Sequence, residues 1–130
     1  MAEVYSINAG YFRLDGGAMF GVVPRVLWQD KCIPDEKNRI PQATRVLLII
    51  DDRRKILIDT GMGNWHDRKF IDRFSLEKPN FDFNRALTAY ELSTEDITDV
   101  IITHLHFDHA GGLAFKKETE IKPAFPNASI

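Results

Sequence analysis

Cysteine is nearly missing: Cys32 stands alone in 130 residues, so no internal disulfide can form and no thiolate cage can hold a metal. Any metal has to be held by histidine and carboxylate, and a reducing compartment, the cytoplasm, is expected. Long apolar runs are missing as well. The longest is the five residues from Val46 to Ile50, and the opening Met1-Ala2-Glu3-Val4 has no basic-then-apolar leader, so neither a spanning helix nor a secretory signal is expected. Nor is there an excess of one charge. With 17 Lys+Arg against 19 Asp+Glu the net charge is −2, which gives no bulk attraction to nucleic acid or anionic membrane and leaves a small-molecule substrate as the expected partner. No repeat, low-complexity stretch or linker interrupts residues 1–130, so no internal domain boundary is expected. What is present is 44% apolar residues, enough for one ordinary core.

The first half is strand-like. Glu3 to Ile7 and Tyr11 to Leu14 flank Asn8-Ala9-Gly10 as the opening of a meander, and Asp15-Gly16-Gly17 is the next turn signal. Pro24 opens a helical turn through Trp28, and Asp30 to Pro41 reads as a polar surface loop. Thr44 to Ile50 and Lys55 to Asp59 form a hairpin about Asp51-Asp52-Arg53-Arg54. Helices are predicted between Trp65 and Phe74 and from Phe83 to about Leu92, with a short one capped by Ser93 or Thr94. Val100-Ile101-Ile102 has the pattern of a strand covered on both faces, and Asn127 to Ile130 that of an entry to another strand. Met19, Phe20 and Trp28 are read as core in preference to a substrate pocket.

Three of the four histidines fall in His104-Leu105-His106-Phe107-Asp108-His109, directly after that strand and before Ala110-Gly111-Gly112. In an extended segment residues two apart project on one side, so His104 and His106 can face one ion and Asp108 continues the row. A turn at the glycines folds His109 back beside Asp108, giving two pairs of ligands. Crowded imidazoles repel once any is protonated, so a cation is expected among them; nitrogen and carboxylate donors suit Zn²⁺, Fe, Mn or Co, with zinc the default. His66 has no partner at ligand spacing and is read as a solvated helix histidine. Asp59 ends its strand before Thr60-Gly61, where it either accepts the free N–H of a ligating histidine or caps the turn.

Thr103 to Gly112 closely resembles the HxHxDH signature of the metallo-β-lactamase superfamily, and Ile56-Leu57-Ile58-Asp59-Thr60-Gly61 resembles the strand and turn that precede it there. Asp15 to Gly21, followed by Pro24, looks like the N-terminal hairpin of lactonase-like members. The resemblance implies an α+β fold, the αββα four-layer sandwich. In it His104 and His106 would serve one metal and Asp108 and His109 a second, with water or hydroxide between them attacking a carbonyl or phosphoryl centre. Asp108 is in addition the candidate catalytic residue, and Asp59 the carboxylate behind a ligand. His109 after Asp108 looks more like the dinuclear hydrolases than the true β-lactamases.

The family's pattern continues with a further histidine, a bridging aspartate and a last histidine, none of which is in this chain. The resemblance therefore implies the N-terminal half of a larger enzyme, inactive alone, whose partner is the missing C-terminal half or a second copy. The expected activity is a dinuclear hydrolase acting on a lactone, ester or thioester. The alternatives are a nuclease or phosphodiesterase of the same fold, or a non-catalytic metal-binding half-domain.

Overall fold

The computed structural model describes residues 1–130. Its main sheet has four strands in the order β1 (Glu3–Asp15), β2 (Arg39–Ile50), β3 (Lys55–Ile58) and β4 (Asp99–Ile101). The first three pair antiparallel in sequence order, whereas β3 and β4 run parallel with Ile58 opposite Ile101. The connection between those two strands carries α3 (Arg68–Phe74), α4 (Phe83–Leu87) and two 3-10 turns, Thr88–Tyr90 and Thr94–Asp96. Their starts follow from local chemistry. Asp67 and Asp82 accept N–H groups of the first turns of α3 and α4, and Ser93 and Asp96 form a reciprocal capping box.

The opening differs from the expected pair of strands. β1 is one continuous strand, and Asn8-Ala9-Gly10 is a bulge within it, where the register against β2 shifts. Gly10 has φ 130°, a conformation that glycine alone adopts without strain, so it absorbs the extra residue instead of reversing the chain. Asp15 is not in a tight turn either. It accepts the N–H of Ala18 and starts α1 (Gly16–Phe20), which leads to α2 (Arg25–Trp28). Trp28 is buried and stacks on Phe20 at 4.7 Å, while Met19 is exposed. β2 begins at Arg39, inside the segment expected to be loop, because Leu14 and Asp15 offer it backbone partners. A hairpin of β5 (Ala114–Lys117) and β6 (Glu120–Pro123) follows the histidine segment, and Ser129 bridges Asp99 in parallel beyond it.

Register sorts the sheet's two faces. Ile7, Val46, Leu48, Leu57 and Val100 point one way and meet Phe83, Leu87, Ile97 and Phe125 in a single core. Each of these side chains, fully buried, contributes about 1.5–3 kcal/mol. The alternate set is Val4, Leu47, Ile49, Ile56, Ile58 and Ile101. None of it is buried: Val4 is 62% exposed, Leu47 40% and Ile101 51%. The expectation that β4 is covered on both faces is thus not met in this chain, since Val100 is buried and Ile101 is not. No helix is long and apolar enough to cross a membrane.

Candidate metal centre

Parallel pairing of β3 with β4 brings both carboxyl ends to one edge of the sheet, where crevices of α/β sheets collect functional groups. Asp59 leaves β3 there, its N–H donating to the Ile101 carbonyl at 2.8 Å. It then adopts φ 62°, the left-handed region that Asp tolerates better than most residues, which turns the chain toward Gly61. Thr103 and His104 leave β4 beside it. The Asp59 carboxylate is buried and accepts the Thr103 N–H at 2.9 Å, the Thr103 hydroxyl at 2.9 Å and His109 Nδ1 at 2.7 Å. Burial pushes the Asp59 carboxyl up, but the hydrogen bonds from His109 and Thr103 outweigh it and hold the group below its usual range.

The histidine segment is not one extended row. His104 and His106 are exposed, with ring centroids 4.5 Å apart and His106 extended, but α5 (Phe107–Ala110) begins immediately afterwards. Asp108 and His109 therefore lie in a helical turn, and that turn brings the His109 ring to 4.0 Å from that of His104. Phe107 anchors it, its ring 4.9 Å from Phe74, 5.4 Å from Phe70 and 6.1 Å from Phe12. The glycines expected to make the turn serve a different purpose. Gly111 has a helical backbone, and a Cβ on Gly111 or Gly112 would overlap the carbonyl oxygens of Met62 or Thr60.

That close approach clamps the signature from below. Thr60 donates its N–H and its hydroxyl to the His109 carbonyl, at 2.7 and 2.9 Å, and the Gly112 N–H returns to the Gly61 carbonyl at 3.0 Å. Trp65 Nε1 donates to the Gly111 carbonyl at 2.8 Å. Replacing Gly112 by alanine forces the two loops apart. The expected loss is about 1–3 kcal/mol, the usual cost of overpacking, read as a lower midpoint in chemical denaturation.

His66 is neither helical nor freely solvated. It precedes α3, stacks on Phe70 at 3.9 Å and donates Nε2–H to the Met62 carbonyl at 2.7 Å. Burial pushes its pKa down. Thr60, Thr103 and Phe107 were not singled out in the sequence. A hydroxyl residue directly before His104 is the one signal that was available for Thr103.

The donors suit a metal in pairs. His109 gives its Nδ1 side to Asp59, so the ring's remaining nitrogen, Nε2, carries the lone pair of the neutral form, and it faces Asp108 Oδ2 at 3.2 Å. Two acceptors at that distance repel unless a proton or a cation stands between them. No three His, Cys, Asp or Glu side chains converge on one point. A cavity of about 350 Å³ bordered by Phe81, Phe83 and Phe115 touches only Gly112 of the signature and lies apart from these donors.

Comparison with known proteins matches residues 39–130 to the model of the metallo-beta-lactamase superfamily. A probable metal-dependent hydrolase from Staphylococcus aureus is 35% identical, with a TM-score of 0.87 over 98% of this chain and 45% of its own. AidC, a dizinc quorum-quenching lactonase solved with a product, is 28% identical, with a TM-score of 0.69 over 98% of this chain and 40% of its own. A hydrolase called AbOPH shares the fold at 20% identity, with a TM-score of 0.67 and 98% and 40% coverage. The chain thus spans less than half the length of these structures. No curated protein matches it.

Proposed function

Because the chain belongs to the metallo-β-lactamase superfamily, we propose that it supplies the N-terminal half of a dinuclear metal-dependent hydrolase acting on a lactone, ester or thioester. The observation that carries this reading is the gathering of His104, His106, Asp108 and His109 at the carboxyl ends of β3 and β4, with His109 Nε2 3.2 Å from Asp108 Oδ2, a spacing that a cation, or in its absence a proton, can bridge. His104 and His106 hold one ion, and Asp108 and His109 the other. Divalent ions held there, zinc by default or iron, manganese or cobalt, would supply Lewis acidity toward a water and toward the substrate oxygen. The chain's own residues orient and position: Asp59 accepts the hydrogen bond from His109 Nδ1, Thr60 holds the His109 main chain, and Asp108 faces the reacting centre. The remaining ligands come from the C-terminal half or a second copy, packed on the apolar face of Leu47, Ile49, Ile58 and Ile101. The single thiol supports a cytoplasmic setting.

The lactone class rests on the likeness to a dizinc lactonase. A non-catalytic metal-binding half-domain is the second reading, favoured by the want of any three converging donors. Turnover of a panel of lactones, thioesters and phosphodiesters by the completed protein, with elemental analysis alongside, separates these. Hydrolysis by metal-free protein would sink the proposal.

Asp59→Asn gives a narrower test. The amide keeps the fold but cannot accept from His109 as a carboxylate does, and the expected result is a loss of about ten- to a hundredfold in metal affinity or rate, the usual effect of removing a group that orients a metal ligand. A mere turn cap would lower the thermal midpoint with metal content unchanged.

A further inference from the structure

Thr103 stands between the end of β4 and the first histidine, and its hydroxyl has more neighbours than protons. Oγ1 lies 2.9 Å from each Asp59 oxygen, 3.1 Å from His104 Nδ1 and 3.4 Å from His109 Nδ1. A hydroxyl gives one proton and accepts on its lone pairs, and a carboxylate has no proton to give. The Thr103 proton therefore goes to Asp59. His109 directs its Nδ1 proton to Asp59 Oδ2 at 2.7 Å, a shorter contact than its 3.4 Å to Thr103. What Thr103 then offers His104 is a lone pair, and only an N–H on Nδ1 can meet it.

We propose that Thr103 is a positioning residue that holds His104 in its Nδ1–H tautomer and leaves Nε2 as that ring's free donor. The proposal rests on the reading that the signature binds metal. Its consequence is that one buried carboxylate orders histidines of both ligand pairs, His109 directly and His104 through the Thr103 hydroxyl. Outer groups of this kind set both the tautomer and the aim of a ligating imidazole. The hydroxyl's own place is set by the backbone, since the Thr103 N–H also donates to Asp59 Oδ1 at 2.9 Å. Replacing the hydroxyl with a methyl leaves that bond in place.

The test compares Thr103→Val, which removes the hydroxyl at nearly constant shape, with Thr103→Ser, which keeps it. Imidazole ¹⁵N–¹H correlation spectra of the completed protein stripped of metal report the tautomer of each histidine. The wild type and T103S are expected to have His104 protonated at Nδ1, and T103V to move it toward Nε2–H while His109 stays protonated at Nδ1. In zinc competition titrations T103V is expected to weaken one of two binding events by about ten- to a hundredfold, with T103S close to wild type. Should T103V not fold, Thr103→Ala removes the same hydroxyl with less bulk. A hydroxyl-free variant with an unchanged His104 spectrum overturns the proposal. Wild-type protein that takes up no zinc while His104 keeps the Nδ1–H pattern defeats the metal reading and leaves the Thr103 assignment standing.

Discussion

His106→Ala is expected to abolish turnover of the completed enzyme while sparing its fold. The side chain is exposed and, although His106 occupies the cap position of α5, it makes no capping hydrogen bond. Its removal should therefore cost within about 0.5 kcal/mol of stability, as surface substitutions usually do. The chemical cost is of another size. On the proposed assignment, losing one of the two donors that this chain gives one ion would remove several kcal/mol of charge stabilisation, a loss of roughly three orders of magnitude or more in rate. Elemental analysis should give about one metal fewer per site in the variant than in the wild type. Turnover that persists in protein shown to be free of metal would end the hydrolase mechanism in this form.

A second large effect is expected of the 130 residues by themselves: they should not persist in water as a lone folded monomer. The core lies on one side of the sheet only. On the other side Val4, Leu47, Ile49, Ile56, Ile58 and Ile101 form a continuous apolar surface across four strands, with Ile101 51% exposed. Soluble monomers seldom leave more than a few hundred Å² of such surface in contact with water, so a second copy or another polypeptide segment is expected to cover it. With only His104, His106, Asp108 and His109 as proposed donors, weak or single-metal binding and no hydrolysis are expected of these residues alone. Light scattering and metal analysis on one sample test both statements. A compact monomer holding two metals tightly, with measurable turnover, would contradict them.

Where local chemistry decides conformation, the sequence was informative. The β-branched runs Thr44 to Ile50 and Lys55 to Ile58 form their hairpin, and the capping box at Ser93 starts its turn where expected. Where a residue type has two uses, it was not. A glycine between strand-forming segments signals a reversal or a bulge equally well, and at Gly10 the long pairing with β2 selected the bulge. The hairpin of β5 and β6 escaped notice because Lys116, Lys117, Glu118 and Glu120 blur any alternation. The helical turn at Asp108 was equally hidden. It depends on Phe107 docking against Phe12, Phe70 and Phe74, which lie far away in the chain.

By itself the sequence determined the donor types, their spacing and the resemblance to a metal-binding signature, because those are properties of a few adjacent residues. Which face of the sheet carries the core was left to the fold, since Val46 to Ile50 and Val100 to Ile102 are apolar at every position and show no alternation. Only the tertiary structure decided which imidazole nitrogens are free. That choice follows from Asp59, 50 residues from His109 and brought to it by the parallel register of β3 and β4. An imidazole's tautomer is set by the partner its other nitrogen meets, and the partner of His109 is supplied by the fold and not by its neighbours in sequence.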